Sequence, residues 1–493
     1  MEIKYTSTRD KNVIVSPSKA IVTGLSHEGG LFVPTSFPKL DKSLDELSKM
    51  DYRNVAYEVM KLFLTDFTES ELRGCIEKAY DEKFDTDEIV PLSEVDNAYY
   101  VELFHGATIA FKDMALSILP HLMMVAAKKN NINDKICILT ATSGDTGKAA
   151  LAGFAGVDGT KIVVFYPKNG VSAIQERQMV TQKGDNVKVV GIKGNFDDAQ
   201  TGVKNIFGSD EMAKLAKDKG TVFSSANSIN IGRLVPQIAY YVFSYVTLIK
   251  EGRINAGDKV NFVVPTGNFG NILAGFYAKE IGIPVNKLIC ASNENKVLYD
   301  FFQSGTYDRN REFILTTSPS MDILISSNLE RLIYYIAGND SDKCLELMTQ
   351  LKEKGSYTID DNMKAKLDAF VGGFASEDEV SERIKELYTN DSYVIDTHTA
   401  VASSVYKAYR ENTKDETVSL IISTASPYKF PRAVLKAIEG KDRDDSDFAL
   451  IDILNNVSHV AVPKAVTDVI NSPVRFDIVC DTDKMKDEVL QFL

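Results

Sequence analysis

Between residues 136 and 291 the chain alternates short, unbroken apolar runs with helical stretches, a pattern that leaves few folds open. Ile136–Thr140, Ile162–Tyr166, Val187–Ile192, Val260–Val264 and Leu288–Ala291 read as strands. Lys148–Gly156, Ser172–Gln182, Asp197–Phe207, Ile231–Lys250 and Ile272–Glu280 read as helices between them. A strand that is apolar at every position has both faces covered, and strands joined through helices run parallel. The alternation returns at Thr399–Tyr409, Val418–Ser423 and Phe430–Glu439. The expected class is α/β with open parallel sheets. Ligands of such sheets sit beyond the carboxyl ends of the strands, so the strand-to-helix turns are where chemistry is sought.

The flanking segments differ in texture. A turn-rich loop, Gly24–Pro34, precedes helical patterns over Leu44–Met50, Tyr52–Leu64 and Glu69–Tyr80, so residues 1–95 read as a helical section without evident chemistry. Residues 295–395 are mainly polar helical segments that elaborate one domain. At 493 residues the chain exceeds one ordinary core. Its net charge of −13 argues against nucleic-acid binding. The N-terminus is polar, with no signal peptide, and the most apolar segment, Ile238–Ile249, is too short to span a bilayer. Five scattered cysteines, with no CxxC pair, suit a reducing, cytoplasmic setting, and five dispersed histidines offer no metal-ligand spacing.

Five stretches carry candidate chemistry. Lys112 lies between two apolar runs, Thr108–Phe111 and Met114–Val125, the second reading as a buried helix with Asp113 at its N-cap. A desolvated lysine loses its charge and becomes nucleophilic enough to hold a carbonyl as a Schiff base. The turn after Ile136–Thr140 (Ser143, Gly144, Asp145, Thr146) packs hydroxyls and an acid around glycines, suited to a carboxylate or phosphate. Gly267, Asn268, Phe269, Gly270 and Asn271 place backbone donors at a helix N-terminus, a phosphate cradle that is neither a Walker A loop nor a dinucleotide fingerprint. Thr424, at the end of Val418–Ser423, offers a hydroxyl that can meet a heteroaromatic nitrogen without charging it. Ahead of Ile231–Lys250, Asn227, Ser228 and Asn230 precede Arg233, whose guanidinium can grip a phosphate in bidentate fashion. Lysine, phosphate cradle and ring-nitrogen partner together fit pyridoxal 5′-phosphate.

These residues also carry a resemblance. Phe104–Asp113 resembles the cofactor-lysine motif of the threonine synthases, with Ala107 where the family has proline. Tyr5–Arg9, Gly29–Pro34, Ala141–Gly147, Ser225–Asn230, Arg233–Gln237, Pro265–Asn271, Asp396–Val401 and Thr424–Phe430 match in order, so the resemblance spans nearly the whole chain. It implies two α/β lobes of the tryptophan synthase β-subunit type (pyridoxal-phosphate fold type II) behind an N-terminal domain. The corresponding division is 1–95, a smaller lobe 96–215 with the lysine, and a larger lobe 216–493 with the phosphate loop. It implies conversion of O-phospho-L-homoserine and water to L-threonine and phosphate. Lys112 would hold the cofactor, Gly267 to Asn271 its phosphate, Thr424 its ring nitrogen, and Asp145 would lie near its 3′-oxygen. Ser143, Gly144 and Thr146 would receive the substrate carboxylate. Arg233 with Asn227, Ser228 and Asn230, or else Lys429, would face the substrate phosphate. The expected partner is the small-molecule substrate alone, for a monomer or weak homodimer. The alternatives are a hydroxyamino-acid dehydratase of the same fold and a non-catalytic phospho-ligand-binding relative.

Overall fold

The structure is a computed structural model that describes residues 2–142 and 144–493. Two parallel sheets organise it. The smaller has five strands in the order Val479–Cys480, Val187–Ile192, Thr160–Pro167, Lys135–Ala141, Thr221–Ser224. The larger has six, in the order Phe370–Phe374, Val285–Ser292, Val260–Pro265, Ser419–Ser423, Ala98–Glu102, Leu92–Val95, with only the last antiparallel. Sheet membership departs from the expected division at 96 and 215. Ala98–Glu102 pairs with Ser419–Ser423 in the larger sheet, and Val479–Cys480, from the far end of the chain, closes the edge of the smaller one. The two-residue pairing of Val479–Cys480 is too short to announce itself in sequence.

Side-chain alternation explains the unbroken apolar strands. Phe262, Val264, Leu288, Cys290, Leu420 and Ile422 face one buried core, while Val263, Ile289, Ala291 and Ile421 face another on the opposite side of the same sheet. In the smaller sheet Ile136 and Ile138 join the first core, and Cys137 and Leu139 a third. With period-two side chains, coverage on both faces demands apolar residues everywhere.

The helix Ile231–Lys250 is the axle of the first core. It is buried at seventeen of its twenty positions and packs on both Tyr52–Phe63 and Gly270–Ile281. The N-terminal section is therefore no separate cap. Ile3, Tyr5, Val55 and Phe63 belong to the same core as Leu234 and Phe262. Besides its helices, this section contains a small antiparallel sheet, Ile14–Val15, Tyr5–Ser7 and Phe32–Pro34. No helix among the described residues is long and apolar enough to cross a membrane.

Two local expectations are corrected. The apolar run after Lys112 is two helices, Asp113–Leu116 and Leu119–Lys129, with Pro120 in the first turn of the second, where its missing N–H costs nothing. Asp113 is not an N-cap. It is the first helical residue, and its carboxylate turns back to accept from the Thr108 amide at 2.7 Å and the Thr108 hydroxyl at 2.6 Å.

Arg331 ties three of these parts together from a fully buried position. Its guanidinium donates to Phe32 O at 2.9 Å, to Ile229 O at 2.6 Å and to the Asn328 side chain. Arg331→Met keeps much of the volume but strands two buried carbonyls. The expected loss of unfolding free energy is about 2–4 kcal/mol, read from urea denaturation midpoints at unchanged m-value. A loss below about 0.5 kcal/mol, the range of ordinary surface changes, would show that water takes over these contacts.

Candidate active site

The loop that carries Lys112 is fastened to the strand end that carries Thr424. Leu103 N donates to Ser423 O (3.0 Å), Phe111 N to Thr424 O (2.8 Å) and Ser426 N to Ile109 O (3.1 Å). Ile109 is held at φ 51°, a left-handed conformation costly for a β-branched residue. These bonds bring two separately read stretches into one wall.

The Lys112 ammonium lies 3.3 Å from Asp145 Oδ2 and 3.2 Å from Ser320 Oγ. Asp145 is the hub: its Oδ2 also accepts from Ser320 Oγ (2.7 Å), and its Oδ1 meets Gln175 Nε2 (2.9 Å) and Lys429 Nζ (2.9 Å). Electrostatics treat the two ends of the Lys112–Asp145 pair differently. Burial alone would raise the Asp145 carboxyl, but Lys429, Lys112 and Lys148 outweigh it and hold it well below the usual range. For Lys112 burial wins, with only Asp145 opposing and with Lys429 and Arg233 adding repulsion, and its amine falls to about 8. A lysine near 8 supplies free amine at neutral pH that an exposed lysine does not.

Asp145 opens the helix Asp145–Phe154. The turn ahead of it is held by Thr142 Oγ1, which accepts from Gly144 N (2.9 Å) and Gly147 N (3.0 Å). Gly144 has φ 136°, and a Cβ there would lie 2.5 Å from the Gln175 carboxamide, so glycine is required. Thr146 follows in the first helical turn. Ser143 lies outside the described residues.

The Gly267–Asn271 loop turns its carbonyls outward. Gly267 O accepts from Ser326 Oγ (2.6 Å), and Asn268 O from Asn328 N (3.1 Å) and Nδ2 (3.0 Å). Phe269 takes the left-handed conformation at φ 64°, and the helix Gly270–Ile281 starts with no side-chain cap. Asn271 Oδ1 accepts from the hydroxyls of Tyr240 and Tyr241, each at 2.7 Å, while its buried Nδ2 has no partner among the described residues. An uncapped helix start beside an orphaned amide donor fits an anion such as the phosphate of pyridoxal phosphate. A Cβ on Gly267 would lie 2.7 Å from Ser320 O, so this cradle and the Lys112 contact share one wall. Lysine and cradle thus fit the cofactor.

The segment ahead of Ile231–Lys250 is less uniform than its composition suggests. Asn230 is spent on structure: its side chain donates to Ile21 O (3.0 Å) and accepts from Gly232 N (2.8 Å) as the helix cap. Asn227 is exposed, and Ser228 is half-buried beside it. Arg233 is buried, donates Nη1 to Ala226 O (3.0 Å), and leaves Nε without a partner among the described residues. Burial brings its guanidinium down to about 10. Lys429 is committed to Asp145.

Three participants escaped the sequence reading. Ser320 lies in the unplaced 295–395 region, and nothing local marks it. Its amide donates to His398 Nε2 (3.2 Å), and His398 Nδ1 meets Asp396 Oδ2 (2.9 Å), so the Asp396–Val401 motif works by holding Ser320. Gln175 reaches Asp145 from the next helix. Lys148 did carry a signal, as a lysine in an otherwise small and apolar helix face.

Comparison with known proteins accords with this geometry. Profiles described as threonine synthase N terminus, pyridoxal-phosphate dependent enzyme, and threonine synthase C-terminal match residues 4–80, 90–424 and 399–489. Threonine synthase-like 1 of Homo sapiens is 39% identical over 461 residues, 90% of this chain but 61% of that protein, so the chain spans about three fifths of that relative. Threonine synthase of Schizosaccharomyces pombe is 37% identical over 469 residues, 89% of this chain and 90% of that one. A solved structure of pyridoxal-phosphate-bound threonine synthase from Brucella melitensis superposes with TM-score 0.88 at 33% identity over 99% of both chains. With three profiles matched in order along one continuous fold, the chain belongs to the threonine synthase family of pyridoxal-phosphate dependent enzymes.

Proposed function

We propose that the chain converts O-phospho-L-homoserine and water to L-threonine and inorganic phosphate in the cytoplasm, as a monomer or weak homodimer. The observation that carries this reading is Lys112, a buried amine brought to about 8 between an anion cradle on one side and a cation-rich corner on the other. Pyridoxal phosphate, when bound, supplies an electron sink for charge developing on the amino-acid carbons. In this reading Lys112 anchors the cofactor at rest, and its neutral amine takes the substrate's Cα proton and then a Cβ proton. Phosphate departs from Cγ toward the surrounding cations. Each proton taken by the lysine goes back to carbon, one at Cγ and one at Cα, while water adds its hydroxyl at Cβ and its remaining proton leaves with the phosphate. Asp145 keeps the amine oriented throughout, and Ser320, bonded to both, can pass a proton between them. Thr424 would offer the cofactor ring a neutral hydroxyl, which limits electron withdrawal and favours elimination and replacement over amino transfer. Gly144 and Thr146, at the start of a helix, would receive the substrate carboxylate.

Incubating the cofactor-loaded protein with O-phospho-L-homoserine should release threonine and phosphate in equal amounts. Deamination of serine or threonine without threonine formation would transfer support to the dehydratase reading. Lys112→Ala should lower kcat by at least about 10³-fold, the scale of removing a positioned acid–base group, and abolish the visible absorbance of the loaded protein. The amine itself can be titrated. Burial favours the uncharged form, so in the cofactor-free protein competitive acetylation of Lys112, quantified by mass spectrometry, should rise through a midpoint near 8. A midpoint at the ordinary lysine value would show an exposed, fully charged side chain.

A further inference from the structure

Lys148 touches no ligand-facing group in the arrangement described so far beyond its field on Asp145, yet it is deeply buried and unpartnered among the described residues. It is 2% exposed, and its ammonium has no hydrogen-bond partner among the described residues. It sits one helical turn after Asp145 on the helix Asp145–Phe154. Burial pushes its amine well below the ordinary lysine range, and the charges that act on it are those of the site: Lys429 and Lys112 repel it, and Asp145 and Asp113 attract it. Neither carboxylate is available to pair with it. Both oxygens of Asp113 are taken by Thr108, and both oxygens of Asp145 by Lys112, Ser320, Gln175 and Lys429.

The wider count points the same way. Among the described residues, Lys112, Lys148 and Lys429 act on two buried carboxyl groups, Asp145 and Asp113, and Arg233 acts on Lys112. Arg233 also has an Nε without a partner among the described residues. Basic groups outnumber the carboxyl groups that could pair with them, and a phosphate dianion would supply the missing partner. The cradle at Gly267–Asn271 follows a strand of the larger sheet and offers neutral amides, whereas Lys148 lies on the helix leaving the smaller sheet. A buried amine with no partner is costly, and an ordinary structural lysine avoids that cost by snorkelling to water.

We propose that Lys148 is a binding residue for a dianionic phosphate group of the substrate, held in a corner separate from the cofactor's own phosphate cradle. This rests on the proposed reading for the identity of the substrate. Its buried amine is held unpaired until the phosphoryl group enters; it binds a proton together with that group and then helps stabilise the charge as free phosphate forms. Arg233 supplies a further donor on the Lys112 side, and Lys429 contributes charge while remaining on Asp145.

The test uses the cofactor-loaded protein and inorganic phosphate, titrated calorimetrically, with wild type, Lys148→Met and Lys148→Arg. Lys148→Met should weaken phosphate binding about tenfold or more and raise KM for O-phospho-L-homoserine in parallel, the loss of one charge-assisted hydrogen bond. Its cofactor content should be unchanged, and its melting temperature equal to or above wild type, since a buried unpartnered polar group is removed. Lys148→Arg should recover part of the phosphate affinity. Unchanged phosphate affinity in Lys148→Met, or a loss confined to cofactor content, overturns the proposal. If wild type binds phosphate in a Lys148-dependent way but forms no threonine, the anion site stands and the proposed reaction falls. Should Lys148→Met fail to fold, Lys148→Gln carries the same expectations.

Discussion

The carboxylate of Asp145 is the interaction on which the rest of the site depends. It starts a helix of the smaller sheet, and it is reached by Lys429 and Ser320 from segments around the larger one and by Lys112 from the loop between. Burying a carboxylate and several ammonium groups together costs several kcal/mol per ion unless each is paired. One anion shared among several cations satisfies the anion and leaves the cations short. Burial brings Lys112 down to about 8 because its share of that anion does not offset the lost hydration, while the surrounding cations keep Asp145 ionised. The shortage is the functional state: an amine that is easily neutral, beside cations that still need an anion.

The supporting structure keeps this arrangement in place by backbone contacts. The Lys112 loop is bonded to the Thr424 strand end, and the Gly267 loop to the 326–328 segment. Each loop contains one residue in a left-handed conformation, Ile109 in the first and Phe269 in the second. Such strain persists only where the surroundings over-determine it, and here both sheets and Arg331 do so. The N-terminal section shares a core with the larger sheet, so it contributes to the stiffness of the site without supplying its chemistry.

Much of this was legible in the linear chain, because the relevant signals are local. Unbroken apolar strands announced covered parallel sheets. Lys112 among apolar residues, the glycine turn before Asp145 and the Gly267–Asn271 loop each declared a special environment within a dozen residues. Positions whose meaning is a distant partner were mute. Ser320 and Gln175 look like ordinary polar residues until Asp145 is placed beside them, and Asn230 looks like a ligand donor until its amide is seen on Ile21 O. Asp113 misled for the same reason, since its partner is the upstream Thr108 and not the helix ahead.

Sequence by itself determined the α/β class, the family resemblance, and the lysine, cradle and hydroxyl around which the site is built, since periodicity and short motifs record what each segment must bury or expose. Only tertiary structure decided which strands share a sheet, how one carboxylate is divided among its cations, and which lysine is left without a partner. Those are properties of pairs and sums of charges. They exist only once chain segments hundreds of residues apart are within a few ångströms of each other.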